Sequence, residues 1–357
     1  VRIVITGATG NVGTAVVRRL AAEHDLVGVV RRPPDPPSGA EEPLDAVRWV
    51  TADLASDTSV PVLREAFAGA DAVVHLVWAF QPSHRLDQLE QTGPGGTDRV
   101  LTAVRAAGVR HLVHMSSVGA YSPRTSDVPV TEDHPTGGIP GSPYSQHKAA
   151  AERLLDTFER TTTDHVVTRL RPGIVGQRGA GSALLRYGLP ALAPAGLVRL
   201  VPLLPVDRGL ELPMVHADDV AEAIARVLDA RAPGPFNLAA APVITVEHLA
   251  AALGARHVHV PLGVVRAAVA ASWHARVQPL DPGWIDLAGS VPLMDCSRAE
   301  QELGWVPATD AVSTLQQVVD GMGERAHLPT PALRPRTLVD SARRFLGEGP
   351  VSRRDRP

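Results

Sequence analysis

The chain has 357 residues, 44% of them apolar, and a formal net charge of −3. That is enough for one large domain, or one and a half, with a sizeable core, and the charge balance gives no drive towards nucleic acid. The one cysteine, Cys296, excludes an internal disulfide and a cysteine-built metal cage.

The longest apolar stretches, near residues 189–206 and 261–272, are broken by Pro, Gly or Arg. Neither supplies the roughly 20 unbroken apolar residues of a membrane span. The strand pattern begins at residue 1, so no signal peptide is expected before it. A soluble, cytoplasmic protein acting on a small molecule is predicted, with no nucleic-acid or membrane partner.

Residues 2–5 read as a buried parallel strand. Residues 12–22 read as a helix, with Val12, Ala15, Val16 and Leu20 at a period near 3.6. Between them stand Gly7, Gly10 and Gly13. The first permits a tight turn, the second lets backbone approach a pyrophosphate, and the third lets helix and strand pack closely. The helix N-terminus then offers free N–H groups and partial positive charge to phosphates. A strand, this turn and a helix in succession predict a dinucleotide site.

Residues 26–30 form the second predicted strand. NAD-preferring folds usually carry an acidic residue at its end for the ribose 2′-hydroxyl. Here Val30-Arg31-Arg32 takes that place. A guanidinium pairs with a 2′-phosphate, so NADP(H) is favoured over NAD(H). Residues 33–43 are rich in proline and acidic side chains and read as a loop. A third strand covers 49–51. Asp53, followed by Leu54, either accepts from an adenine amino group or caps a helix.

A short helix is predicted at 61–68 and a fourth strand at 71–77, apolar enough to be buried on both faces. Trp78, Ala79 and Phe80 leave it on the carboxyl side, where open α/β sheets bind ligands. Residues 81–96 read as irregular, with His84 either touching substrate or solvated. A helix at 97–107 is given Thr97 as its cap. A fifth strand at 111–115 ends in Ser116-Ser117. The helix at 144–159 has one apolar face, and a sixth strand at 166–170 is stopped by Arg171-Pro172-Gly173.

Residues 178–212 are apolar and show no strand–helix rhythm. A capped helix at 218–230, a strand at 234–238 and a helix at 245–253 follow. Thr245 caps the last, without a full capping box because His248 is its third residue. An amphipathic helix is predicted at 261–275 and a short one at 297–303. From 331 the composition turns basic and reads as a surface tail. His257 and His259 share a strand face without a third ligand, so no metal site is expected.

Tyr144 and Lys148 are four apart on a helix and share a face. A tyrosine hydroxyl, with a pKa near 10, is a poor base at neutral pH. A neighbouring ammonium favours the phenolate. The lysine can also donate to a nicotinamide ribose. Ser117, at the end of a neighbouring strand, can hold a substrate oxygen while Tyr144 moves the proton and a hydride moves to or from a cofactor.

Residues 6–13 (Thr-Gly-Ala-Thr-Gly-Asn-Val-Gly), Asp53-Leu54, His75-Leu76, Ser116-Ser117 through Tyr121, and Tyr144 to Lys148 resemble the extended short-chain dehydrogenase/reductases, the NAD(P)-dependent epimerase/dehydratase family. Arg171-Pro172, the run from His216 to Ala221 and the run from Glu302 to Pro307 match it as well. The resemblance implies a doubly wound parallel α/β sheet of about seven strands. Its Rossmann part would cover 1–175, with 214–240 returning to it. A smaller C-terminal substrate-binding part would take 176–213 and 241–330, before the tail at 331–357.

The resemblance also implies Ser117, Tyr144 and Lys148 as the catalytic set and a possible homodimer. The cofactor would meet Gly7, Thr9, Gly10, Asn11, Val12, Gly13, Arg31, Arg32, Asp53, Leu54, Leu76, Val77, Lys148 and Pro172. Trp78, Phe80 and His84, with Ser117 and Tyr144, are expected around the substrate. Gly93 fills a slot where the family usually has Asn, so an amide that would support a proton relay near the lysine is missing. Ile174 fills another Asn slot of sugar-nucleotide members, and Val77-Trp78 replaces small residues. These departures and the apolar stretch 184–204 favour an apolar carbonyl compound. Two alternatives stay open: a sugar-nucleotide epimerase or dehydratase with tightly held NAD, and a dinucleotide-sensing protein without catalysis.

Overall fold

The computed structural model describes residues 1–34, 43–79, 84–188 and 202–335, the side chains of 186–188 excepted. The first half of the chain alternates strand and helix. It comprises β1 (Arg2–Thr6), α1 (Asn11–Leu20), β2 (Asp25–Val30), β3 (Val47–Thr51), α2 (Ser59–Phe67) and β4 (Ala72–His75). There follow α3 (Leu86–Thr92), α4 (Pro94–Ala107), β5 (His111–Met115), α5 (Pro143–Thr161) and β6 (Val166–Pro172). The second half comprises β7 (Ile174–Gly176), α6 (Gly181–Gly188), β8 (Leu203–Val206), β9 (Glu211–His216), α7 (Ala217–Ala230) and β10 (Gly234–Leu238). It ends with β11 (Ala240–Thr245), α8 (Val246–Leu253), β12 (Arg256–His259), α9 (Leu262–His274), α10 (Gly283–Ala288), α11 (Ser297–Leu303) and α12 (Ala311–Glu324).

Seven strands form one parallel sheet in the order β10-β6-β5-β4-β1-β2-β3. Strands buried on both faces read as continuous apolar runs, and β1 and β4 do. One face packs α1 and α7 around Ile3, Ile5, Val16, Leu20 and Ile224. The other packs α2, α4 and α5 around Val4, Leu63, Phe67, Val104 and Leu155. The order reverses between β1 and β4, so the carboxyl ends of those strands open a crevice, the usual ligand position in such sheets. Gly7 and Leu76 begin the two loops on either side of it.

The C-terminal layers are a three-stranded sheet, β11-β9-β7, and a parallel pair, β12-β8. Trp305 is fully buried and its indole N–H donates to the Asp219 carbonyl at 2.8 Å. The Asp219 carboxylate accepts from the N–H groups of Ala308 and Thr309. Two matching sequence segments, 86 residues apart by this bond, are thus one structural joint.

Several expectations need correcting. Within the stretch read as irregular, residues 86–92 are helical and Gly93 only breaks α3 from α4. The polar face of α3 gave no apolar period; the Gln91 carbonyl instead accepts from Arg99 of α4. Pro94 opens α4, so Thr97 is no cap: its hydroxyl donates back to the Gly93 carbonyl at 3.0 Å. The sixth strand runs on through Pro172, because β10 pairs with it as far as Leu238↔Pro172.

Residues 178–212 hold α6, β8 and the start of β9; 189–201 lie outside the described residues. Thr245 has its capping box after all, with the His248 ring nitrogen accepting from the Thr245 N–H at 3.2 Å. α9 buries none of its residues fully, so it is helical without the buried apolar face expected of it. Of the stretch read as a surface tail, Leu333 is instead buried against Ala180 and Ala183, and 336–357 lie outside the described residues. Among the described residues no helix is long and apolar enough to cross a membrane.

Candidate active site

The turn after β1 is built as its glycines require. Gly7 has φ +79°, a backbone conformation that side chains rarely adopt. A β-carbon on Gly13 would stand 2.2 Å from the Gly7 carbonyl oxygen, so only glycine lets α1 start this close to the turn. The loop encloses a cavity of about 220 Å³. Its walls include Gly7, Thr9 and Gly10 from the turn, Arg31 and Arg32 after β2, and Asp53 and Leu54 after β3. Leu76, Val77 and Trp78 after β4 complete the far side. Ten residues assigned from four separate segments therefore meet in one cleft.

Other assignments fall elsewhere. The Asn11 amide turns away and donates to the Val175 carbonyl at 2.9 Å, while Gln177 donates to Asn11 in return. Val12 packs against the core, and Pro172 is buried at the end of β6. Asp53 accepts from the Ala55 N–H at 3.1 Å, a local turn, while still facing the cavity. Phe80 lies outside the described residues. His84 stacks on Trp273 of α9 with ring centres 4.6 Å apart. Of the apolar stretch 184–204, Leu184 and Leu185 pack into the C-terminal core with Met322 and Leu253, and 189–201 are outside the described residues.

Sequence reasoning missed Gln88, Leu89 and Thr92 of α3, and Pro331 and Ala332, which line the same cavity. The last two were assigned to the tail. Thr330 ties them in by donating to the Thr9 carbonyl at 2.9 Å. No local pattern marks such a contact, which spans 321 residues.

The proposed catalytic residues meet at the start of α5. Ser142 caps this helix, and Ser145 is fully buried, donating to the Gly119 carbonyl and accepting from the Ile139 N–H, each at 2.6 Å. These bonds fix the first turn. The Tyr144 ring then lies over Gly119, where a β-carbon would stand 2.8 Å from ring atom Cε1. Ser117 accepts from the Gly119 N–H at 3.0 Å and lies close enough to the Tyr144 hydroxyl to draw its pKa down. Two indoles flank the phenol. Trp284 of α10 stacks on it at 5.2 Å, and Trp78 stands edge-on at 6.5 Å. Trp284 was not anticipated: α10 reaches α5 only because Gly283 lets its backbone pass against Gly141.

Lys148 departs from the expected arrangement. Its Nζ donates to the Met115 carbonyl at 2.8 Å and lies 3.6 Å from the Trp78 ring centre. Burial lowers its pKa to about 7, against the raising influence of Glu152. Tyr144 is pushed up by burial, partly offset by Ser117. The expected lowering of the tyrosine by the ammonium is therefore not realised here, because the lysine donates to the Met115 carbonyl at the end of β5 instead of to the phenol.

Beneath the helix, Glu152 is fully buried. It accepts from Ser116 Oγ at 2.6 Å, from Arg169 at 2.9 Å and from Arg171 at 2.9 and 3.1 Å. Burial pushes its carboxyl up, yet Arg171, Arg169 and Ser116 together hold it at about 2. This ionic network joins α5 to the ends of β5 and β6 and so fixes Lys148, one turn earlier, relative to Ser117.

The chain is 29% identical over 322 residues to Rv2047c of Mycobacterium tuberculosis, covering 88% of this chain and 29% of that protein. It is 32% identical over 167 residues to a dTDP-glucose 4,6-dehydratase of Mycobacterium tuberculosis, covering 45% of this chain and 49% of the enzyme. The chain thus spans less than half the length of each of these curated relatives. The solved structure of MoeE5 with UDP-glucuronic acid and NAD shares the fold, with a TM-score of 0.66 at 22% identity over 91% of this chain and 99% of that one. The family model for the NAD dependent epimerase/dehydratase family matches residues 3–239. The chain belongs to that family and is an NAD(P)-dependent enzyme of the extended short-chain dehydrogenase/reductase type.

Proposed function

We propose that the enzyme interconverts a secondary alcohol and a ketone on a rather apolar small molecule, with NADP(H) preferred over NAD(H). The observation that carries this reading is the Tyr144–Ser117 pair, placed between two indoles beside the glycine-turn cleft. The cleft suits a dinucleotide: backbone of Gly7 and Gly10 lines it, and α1 directs its N-terminus there. Arg31 and Arg32 would meet a 2′-phosphate, and Asp53 and Leu54 the adenine side. A bound nicotinamide supplies or accepts the hydride.

The rest of the chemistry belongs to the chain's side chains. Ser117 holds the substrate oxygen. Tyr144, whose pKa burial raises, carries its proton at neutral pH and donates it to that oxygen as a ketone is reduced. In the reverse direction it takes the proton back. Trp284, stacked on the Tyr144 ring, presents apolar surface beside the reacting oxygen.

A second reading is a sugar-nucleotide epimerase or dehydratase with tightly held NAD. The dehydratase relative and the NAD-bound MoeE5 structure favour it. Purified protein is given NADPH and a panel of apolar ketones, and absorbance is followed. Steady NADPH loss supports the first reading. Copurified NAD, no NADPH loss and turnover of a dTDP- or UDP-sugar would replace it with the second.

A further inference from the structure

Lys148 is the only lysine in the chain. It is 2% exposed, donates to the Met115 carbonyl and sits 3.6 Å from the centre of the Trp78 indole. A cation over an indole face is attracted by the ring quadrupole, more strongly once water is excluded. The same indole lines the dinucleotide cleft. It therefore stands between the cleft and the ammonium.

Gly93 makes this possible. A β-carbon there would lie 3.1 and 3.2 Å from indole atoms Cζ2 and Cη2 and 3.0 Å from the Leu89 carbonyl. Its φ of −75° is ordinary, but its ψ of −95° lies outside the usual helical range, so the backbone, the Leu89 carbonyl and the indole all favour glycine here. The absent side chain at 93 and the large one at 78 are one steric exchange, with the chain's single lysine beneath it.

We propose that Trp78 is a positioning residue that holds Lys148 withdrawn against the sheet. A dinucleotide filling the Trp78 end of the cleft displaces the indole and frees the ammonium to turn towards it. This rests on the reading of the cleft as a dinucleotide site. The groups around the lysine are Glu152 on its own helix, His75 at the end of β4, Trp78 in the loop after it, and His114 and the Met115 carbonyl on β5. His75 and His114 are held neutral, with burial lowering both, so Glu152 is the charged neighbour that favours the ammonium.

A single lysine makes the test direct. Protein grown on [13C,15N]lysine gives one lysine side-chain signal. In the wild type its Hε protons are shifted upfield by the indole. Trp78→Leu abolishes that displacement and raises the lysine titration midpoint by about 1 pH unit or more, as water reaches the amine. Gly93→Ala moves the same signal with Trp78 still present. Trp78→Phe, which keeps a ring, retains part of the upfield displacement. Saturating NADP+ removes the displacement in the wild type.

An unshifted wild-type signal, or one indifferent to Trp78→Leu, overturns the inference. Bound NADPH, detected by its own fluorescence, with an unmoved lysine signal overturns the displacement and leaves the proposed function standing. Failure of both dinucleotides to bind overturns both. The pH profile of turnover is the remaining readout: its Lys148-dependent limb moves in Trp78→Leu, and a limb that stays in place overturns the inference.

Discussion

Replacing Glu152 by Gln removes one charge from beneath α5 and almost nothing else in shape. The side chain is fully buried and is shared by Arg169 and Arg171, whose side chains are 7% and 5% exposed. Arg169 keeps Asp156 and Glu159, and Arg171 keeps the Tyr121 hydroxyl and the Glu132 carbonyl. Both lose their most buried anion. Removing one partner of a buried pair costs about 3–5 kcal/mol. A second route gives a similar size. A carboxyl held at about 2 instead of the usual 4.5 contributes about 3 kcal/mol, at about 1.4 kcal/mol per tenfold change.

The sign follows from the depressed value. The contribution is complete above pH 4.5 and is lost as pH falls through about 2. Equilibrium urea unfolding of wild type and Glu152→Gln is therefore expected to differ by about 3 kcal/mol at pH 7. The gap closes steadily between pH 4.5 and 2. A gap below about 1 kcal/mol at pH 7, or one that does not shrink in acid, refutes the view that this carboxylate anchors the two arginines.

Other changes probe the site. Tyr144→Phe lowers turnover by about 10²–10⁴-fold while dinucleotide affinity is kept; unchanged turnover would remove Tyr144 from the chemistry. Arg31→Ala weakens NADP binding by about tenfold or more and NAD binding little, since a charge-assisted hydrogen bond is worth about 1.5–3 kcal/mol. Equal loss for both dinucleotides, measured by fluorescence titration, would show that Arg31 does not meet a 2′-phosphate. Gly13→Ala drives a β-carbon to 2.2 Å from the Gly7 carbonyl. It is expected to cost about 1–3 kcal/mol by thermal denaturation and to weaken both dinucleotides together.

Much of this protein is legible in local sequence. The strand, glycine turn and helix of residues 2–20 are set by apolar period and by positions that tolerate no β-carbon, and both signals act within a few residues. Ser117, Tyr144 and Lys148 stand out because a strand end and a four-residue helical spacing are also local. Other contacts depend on what the chain brings together over long separations. Trp78 meets Gly93 and Lys148 because β4 lies beside β5 and Lys148 of α5 reaches the end of β5. Trp284 reaches Tyr144 only through the close passage at Gly283, and Thr330 closes the cleft from 321 residues away. The spacing of Tyr144 and Lys148 announced a shared face. Where the ammonium points was decided by the Met115 carbonyl and the indole above it, because a buried charge goes to the best-placed acceptor in the fold and not to its nearest neighbour in sequence.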